Sequence, residues 1–258
     1  MDTRALVKSE EEIAIMRRGC QVLASVFDSL TPHVVTGATG AGLDAIAEGE
    51  IRAAGCVPAF KGYDSGGPTP FPGTMCFSRN HEIVHGIPTA DDVIASTDLV
   101  KIDMGLICEG YYADMARTFV MPEASEQARN LAKHTRTAFE KGIAQIRDGA
   151  QLSDFAHTVQ SYAEGLGYGV VKGLVGHGIG KELHIAPQVP NYMSEEFDNF
   201  TFRAGMTIAI EPMVNIGTDE IGTGPDGWTI VTADGSLSAH HENTILVTKG
   251  GCEILTKS

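Results

Sequence analysis

The chain is poor in basic residues, with 19 lysines and arginines against 33 aspartates and glutamates, and it holds five cysteines and one tryptophan in 258 residues. Each shortage excludes something. A formal net charge of −14 repels nucleic-acid phosphates and anionic lipid, so neither nucleic acid nor a membrane is expected as a partner. The cysteines (Cys20, Cys56, Cys76, Cys108, Cys252) are odd in number, scattered and never spaced C-x-x-C. That argues against a disulfide framework and a structural zinc knot, and fits reduced thiols in a cytosolic chain. No run of about twenty apolar residues offers a membrane span. Met1 to Glu12 is polar and ends on Glu10, Glu11 and Glu12, without the apolar core of a secretory signal. A cytoplasmic protein is expected. Its excess of acid is either ordinary solubility or, in part, a carboxylate cluster that bound cations neutralise.

The rest of the composition is ordinary for a globular chain: 43% apolar and 20% charged residues. One domain over residues 1–258 is the expectation. Ile13, Met16, Cys20, Leu23, Phe27 and Leu30 recur in steps of three and four, the period of a helix with one buried stripe. Ser9 and Glu12 are spaced as a capping box at its start. A second amphipathic pattern runs from about Leu43 to Ala54 and closes on Gly55. The pair recurs: Ala128, Leu131, Thr135, Ala138, Gly142 and Ile146 in one helix, Phe155, Val159, Tyr162 and Leu166 in the next.

The segments after each helix pair also repeat. His85-Gly86-Ile87 is matched by His177-Gly178-Ile179, and Leu99 to Asp103 by Thr207 to Glu211, a β-rich run closing on a carboxylate. Asp114, ahead of Arg117-Thr118-Phe119-Val120, is matched by Glu242, ahead of Thr244-Ile245-Leu246-Val247. Three matches in one order imply an α+β fold of two related halves, about 9–120 and 125–250, around a shared sheet.

Taken singly, each of these acids is more readily a strand-end carboxylate facing water or paired with a lysine or arginine. The repeat changes that reading, because equivalent positions in two halves of a sheet can face each other. Asp103, Asp114, Glu211 and Glu242 then converge, and such a cluster stays ionised only with cations among it. Asp103 and Asp114 are spaced as two strands joined by a short turn, which lays them side by side as cross-strand neighbours. His177 lies in Gly176-His177-Gly178-Ile179-Gly180, where glycines let the backbone come close to whatever the imidazole touches. A phosphate loop does not fit, since Val175 and Glu182 occupy positions that need Gly and Ser or Thr. Nor does a dinucleotide fingerprint, since no βαβ unit frames the glycines. His177 reads instead as the single nitrogen ligand. One imidazole with four carboxylates suits Mn(II), Fe(II) or Co(II), with Zn(II) less typical. Four acids are enough for two ions, and a pair about 3.5–4 Å apart can hold a bridging hydroxide and polarise a carbonyl. Hydrolysis of a polar acyl bond is the reaction class expected.

At this point the residues resemble a known family. The run Asp103 to Val120 (DMGLICEGYYADMARTFV), the GHGIG loop with His184 seven beyond His177, IEPM at Glu211 and HENT at Glu242 are similar to the five-ligand site of type I methionine aminopeptidases, in the M24 "pita-bread" metallopeptidase superfamily. HGIP at His85, DGWT at Trp228 and SLSAHHENT narrow the resemblance to that family. It implies two helices per half packed on a shared antiparallel curved sheet. It implies that Asp103, Asp114 and Glu242 hold one ion, and Asp114, His177, Glu211 and Glu242 the other, with Asp114 and Glu242 bridging. Glu211 would also act as general base, then return the proton to the leaving amine. His85 and His184 would bind the scissile peptide and the developing oxyanion, though without the motif either is more simply a core or surface histidine. Tyr63, Phe71, Cys76 and Trp228 would line an apolar methionine pocket; plain core packing accounts equally well for Tyr63 and Phe71. Met206 and Met213, beside Glu211, are expected in the core.

The activity implied is removal of N-terminal methionine from peptides and nascent chains with a small second residue, by a monomer whose association with ribosomes the resemblance leaves open. The chain departs from the pattern at Ile185, where Glu is usual, at His240-His241 before Glu242, and in a longer Asp64 to Pro70 connection. The absence of a zinc-finger extension and of a long second-half insertion favours the short type I form. Prolidases and X-Pro aminopeptidases normally carry a large extra N-terminal domain, whereas here the first helix starts by about residue 10. A non-catalytic binding protein or a metal-free, creatinase-like hydrolase would be expected to have lost ligands, yet all five stand.

Overall fold

The structure, a computed structural model, describes residues 6–64 and 69–257. Among the described residues four α-helices form where the apolar period calls for them: α1 (Glu10–Leu30), α2 (Gly40–Ala53), α3 (Glu126–Ile143) and α4 (Leu152–Glu164). The capping box at the head of α1 is formed, with the Ser9 hydroxyl accepting from the Glu12 N–H and the Glu12 carboxylate accepting from the Ser9 N–H. All six residues of the α1 stripe are buried. Helix α2 begins three residues before Leu43, because the Thr39 side chain caps it. It ends beside Gly55, whose φ of 75° lies in the left-handed region that glycine adopts at little cost. Helices α3 and α4 meet at Gly142, where a Cβ would lie 2.6 Å from Val159 and 2.7 Å from Phe155. The second-half stripes are shorter than their period suggests. Ile146 is buried beyond the end of α3, and Leu166, beyond α4, is exposed.

The helices flank a nine-stranded sheet whose pairings are all antiparallel. At its centre Tyr111–Val120 of the first half pairs with Glu242–Val247 of the second. Outward from this seam the order is the same on both sides. Leu99–Cys108 comes next and then Met75–Arg79 in the first half, Thr207–Ile210 and then Gly176–Gly178 in the second. The seam is tied by side chains too: the Thr244 hydroxyl accepts from the Asp114 N–H and donates to the Asp114 carbonyl. This is the α+β arrangement of two related halves, with α1 and α2 contacting the first-half strands, and α3 and α4 packed together in the second.

Candidate metal centre

The seam brings the charged residues together. In the hydrogen-bonded register Ala116 lies between Asp103 on one neighbouring strand and Glu242 on the other, while Asp114 lies opposite Gly105. Asp103 and Asp114 are therefore diagonal neighbours on one face, two residues out of direct opposition, which corrects the side-by-side expectation. His177 lies opposite Ala209. Ala116, Gly105 and Ala209 thus stand opposite these four residues on one side, while His177 faces Gln188 on the other. Glu211 comes after Ile210 at the end of its strand, and its carbonyl accepts from the Asn191 amide.

The glycines beside His177 serve a different need from the one the sequence suggested. A Cβ on Gly176 would lie 2.5 Å from the Ala209 carbonyl oxygen, and one on Gly178 would collide with the Ala186 carbonyl oxygen. The close approach is to neighbouring strands rather than to a ligand, and it lets a central strand pass between two others.

All five residues line one cavity of about 340 Å³. His177 Nε2 lies 3.6 Å from Glu211 Oε1 and 3.8 Å from Asp114 Oδ2. His177 Nδ1 is 3.0 Å from the Gly178 carbonyl, which can only accept, so the ring proton sits on Nδ1 and Nε2 turns a lone pair toward two carboxylates. Lone pairs facing carboxylate oxygens repel unless a proton or a metal cation lies between them. The protonation tendencies agree. Burial pushes the Asp103 carboxyl up to about 7. Burial, and then the charges of its neighbours, holds those of Asp114, Glu211 and Glu242 well above the usual carboxylate range. Burial also lowers the His177 imidazole to about 3, keeping it neutral. Asp103 Oδ1 is buried with no hydrogen-bond partner. Among the described residues two triads bring donor atoms within 4.8 Å of one another: Asp114, His177 and Glu242, and Asp103, His240 and Glu242. Glu242 belongs to both. Hard oxygen donors with neutral imidazole nitrogens, converging and unsatisfied, fit divalent cations.

The other predicted residues line the same cavity. His85 sits at a φ of 61°, a left-handed conformation that costs a non-glycine residue of order 1–3 kcal/mol. Gly86 holds it there, its N–H donating to Ser78 Oγ and its carbonyl accepting from the Phe77 N–H, so close that a Cβ would overlap the Phe77 carbonyl. Burial lowers the His85 imidazole to about 4. The His184 ring stands edge-on to His177 at 4.3 Å, and its Nδ1 is 2.9 Å from the Tyr63 hydroxyl. Phe71 and Trp228 meet edge to face at 5.2 Å, and Trp228 Nε1 donates to the Thr69 carbonyl. Cys76 pairs in register with Asp103, so this wall runs directly into the acidic cluster. Residues 65–68 of the long connection lie outside the described residues. Met206 and Met213 are buried in the core.

Sequence reasoning missed Phe60, Leu183, Thr223 and Ile230 as cavity lining and gave His240 no role. The lining residues come from four separate segments and carry no common pattern. For His240 a signal existed: it stands two residues before Glu242, and the strand alternation of period two turns both to one side. His241 turns to the other side, against the Phe139 ring.

The fold and the site define a class, the metallopeptidases built as two halves around a carboxylate-rich centre. The chain belongs to metallopeptidase family M24, whose profile matches residues 14–249. It is 43% identical to the methionine aminopeptidase of Clostridium acetobutylicum over 251 residues, 97% of this chain and 98% of the relative. It is 38% identical to methionine aminopeptidase 1 of Bacillus subtilis over 98% of this chain and 99% of the relative. The crystal structure of the methionine aminopeptidase from Thermotoga maritima superposes with a TM-score of 0.92 at 38% identity, over 98% of this chain and 99% of that one. The prolidase from Pyrococcus furiosus shares the fold at a TM-score of 0.79 and 23% identity, with 66% of that chain covered.

Proposed function

We propose that the protein is a methionine aminopeptidase that removes N-terminal methionine from peptides and nascent chains whose second residue is small. The observation that carries the reading is a single cavity that joins the carboxylate and imidazole cluster at one end to an apolar wall of Phe60, Phe71, Cys76 and Trp228 at the other. Asp103, Asp114 and Glu242 would hold one divalent cation, and Asp114, His177, Glu211 and Glu242 a second, each Mn(II), Fe(II) or Co(II). When bound, they supply Lewis acidity that polarises the scissile carbonyl and lowers the pKa of a water molecule.

The chain's own residues do the rest. Glu211 takes a proton from the attacking water and hands it to the departing amine. The Tyr63 hydroxyl lies 2.9 Å from His184 Nδ1; with the hydroxyl as donor, His184 Nε2–H is free to donate to the substrate carbonyl, and His85 donates alongside it, both rings being neutral since burial lowers both imidazoles. The apolar wall takes the methionine side chain, where a polarizable sulfur against an aromatic ring is worth roughly 0.3–1.5 kcal/mol. The two halves act as one catalytic domain, since each supplies ligands. Five free cysteines, and helices none of which among the described residues is long and apolar enough to cross a membrane, support a cytoplasmic location.

The test is release of free methionine from Met-Ala-Ser by chelated protein before and after adding back Mn(II), Co(II) or Fe(II). Activity abolished by chelation and restored by the cations is expected. Full activity in rigorously cation-free protein contradicts the reading.

A further inference from the structure

His240 has an unusual environment. Its backbone is fixed on both sides by Thr118, whose hydroxyl accepts from the His240 N–H and donates to the His240 carbonyl. Its ring is 1% exposed, yet neither Nδ1 nor Nε2 has a hydrogen-bond partner. A buried polar group left without a partner is unfavourable, and here two are left on one side chain. The ring does have neighbours: Nε2 stands 3.8 Å from Glu211 Oε2 and 3.9 Å from Glu242 Oε2. Those gaps are too long for hydrogen bonds. With Asp103 and Glu242, His240 forms one of the two triads whose donor atoms converge. The other triad has His177 in the corresponding role, and its neutral ring likewise turns an unpaired nitrogen toward carboxylates.

We propose that His240 is a second nitrogen ligand of the metal centre, joining Asp103 and Glu242 around the cation that His177 does not reach. The inference rests on the proposed two-cation reading and deepens it. Each cation then has one imidazole as well as carboxylates, where the resemblance gives one of them oxygen alone. Imidazole donors favour Co(II), Ni(II) and Zn(II) over Mn(II), so His240 biases this position away from Mn(II).

The experiment uses the full chain loaded with Co(II) and grown with ring-15N histidine. Each coordinated imidazole contributes one strongly shifted N–H proton signal, identified by its 15N coupling. Two such signals are expected in the unaltered protein and one in His240→Gln. Glutamine keeps an N–H that could donate to a carboxylate but is a poor substitute for imidazole as a ligand. Calorimetry on the same variant should show one of two Co(II) equivalents weakened by at least about tenfold, the lower end of what losing a group that supports a metal site costs. The weakening should be smaller for Mn(II). One signal in the unaltered protein, or two that survive in His240→Gln, overturns the assignment of His240 while leaving the metal centre in place. No shifted imidazole signal at all overturns the metal centre itself, so the two failures are distinguishable even if the variant does not fold.

Discussion

Asp103 and Glu211 differ in exposure and partners and carry different predictions. Asp103 has a buried oxygen with no partner and no second role, so Asp103→Asn should lower cation occupancy, measured by metal analysis, together with rate. Unchanged occupancy removes it from the ligand set. Glu211, at the edge of the cluster with a side chain 15% exposed, is placed to meet a water molecule. Glu211→Gln should cost about 10²–10⁴ in kcat, typical of losing a general acid–base group. Near-normal kcat at saturating cation would refute the proton-carrying role.

The four carboxyls also fix how cation binding depends on pH. Their folded values are raised, to about 7 for Asp103 and well above the ordinary range for the other three. A raised carboxyl gives its stability fully below the unfolded value, about 4, and loses it as pH rises through the folded value. The cation-free fold is thus penalised at these groups near and above neutrality, where a cation replaces the protons. The rise in melting temperature on adding Mn(II) should be larger at pH 8 than at pH 5.5, with protons released on binding. An equal rise at both pH values would contradict this.

Among the elements, the helices were legible because a buried stripe of period 3.6 survives in the residues themselves, and the site strands because they repeat. The missed features depend on information that a linear pattern lacks. The diagonal relation of Asp103 to Asp114 comes from the turn at Glu109 and Gly110, both at positive φ, which sets the register. Leu166 fell off its stripe because α4 stops at Glu164. His240 shows its spacing from Glu242 in the sequence, but its convergence with Asp103 emerges only once the seam between the halves is formed. Glycines separate packing from function in a testable way. Gly142→Ala forces a Cβ against Val159 and Phe155, none of which lines the cavity, and should cost about 1–3 kcal/mol by overpacking with cation affinity unchanged. Gly178→Ala pushes apart the strand next to His177 and should lower both stability and cation affinity. Equal cation affinities in the two variants, by calorimetry, would show that strand spacing does not position His177.

For the whole molecule, the two-halves fold is shared with proline-specific peptidases, so specificity has to come from the cavity. On the proposed two-cation reading, the cations would select a free α-amine next to the first peptide bond, and His85 with the Trp228 segment would crowd the second residue. Met-Ala-Ser should be cleaved, Met-Leu-Ser poorly and the N-acetylated peptide not at all; equal cleavage of the acetylated peptide refutes amine anchoring. The most direct measurement of the central claim is kcat/KM for Met-Ala-Ser against Phe-Pro-Ser with the same cation-loaded protein. A clear preference for Met-Ala-Ser is predicted, because the Phe60, Phe71 and Trp228 wall takes methionine. Preference for Phe-Pro-Ser would contradict it and assign the site to proline-specific hydrolysis.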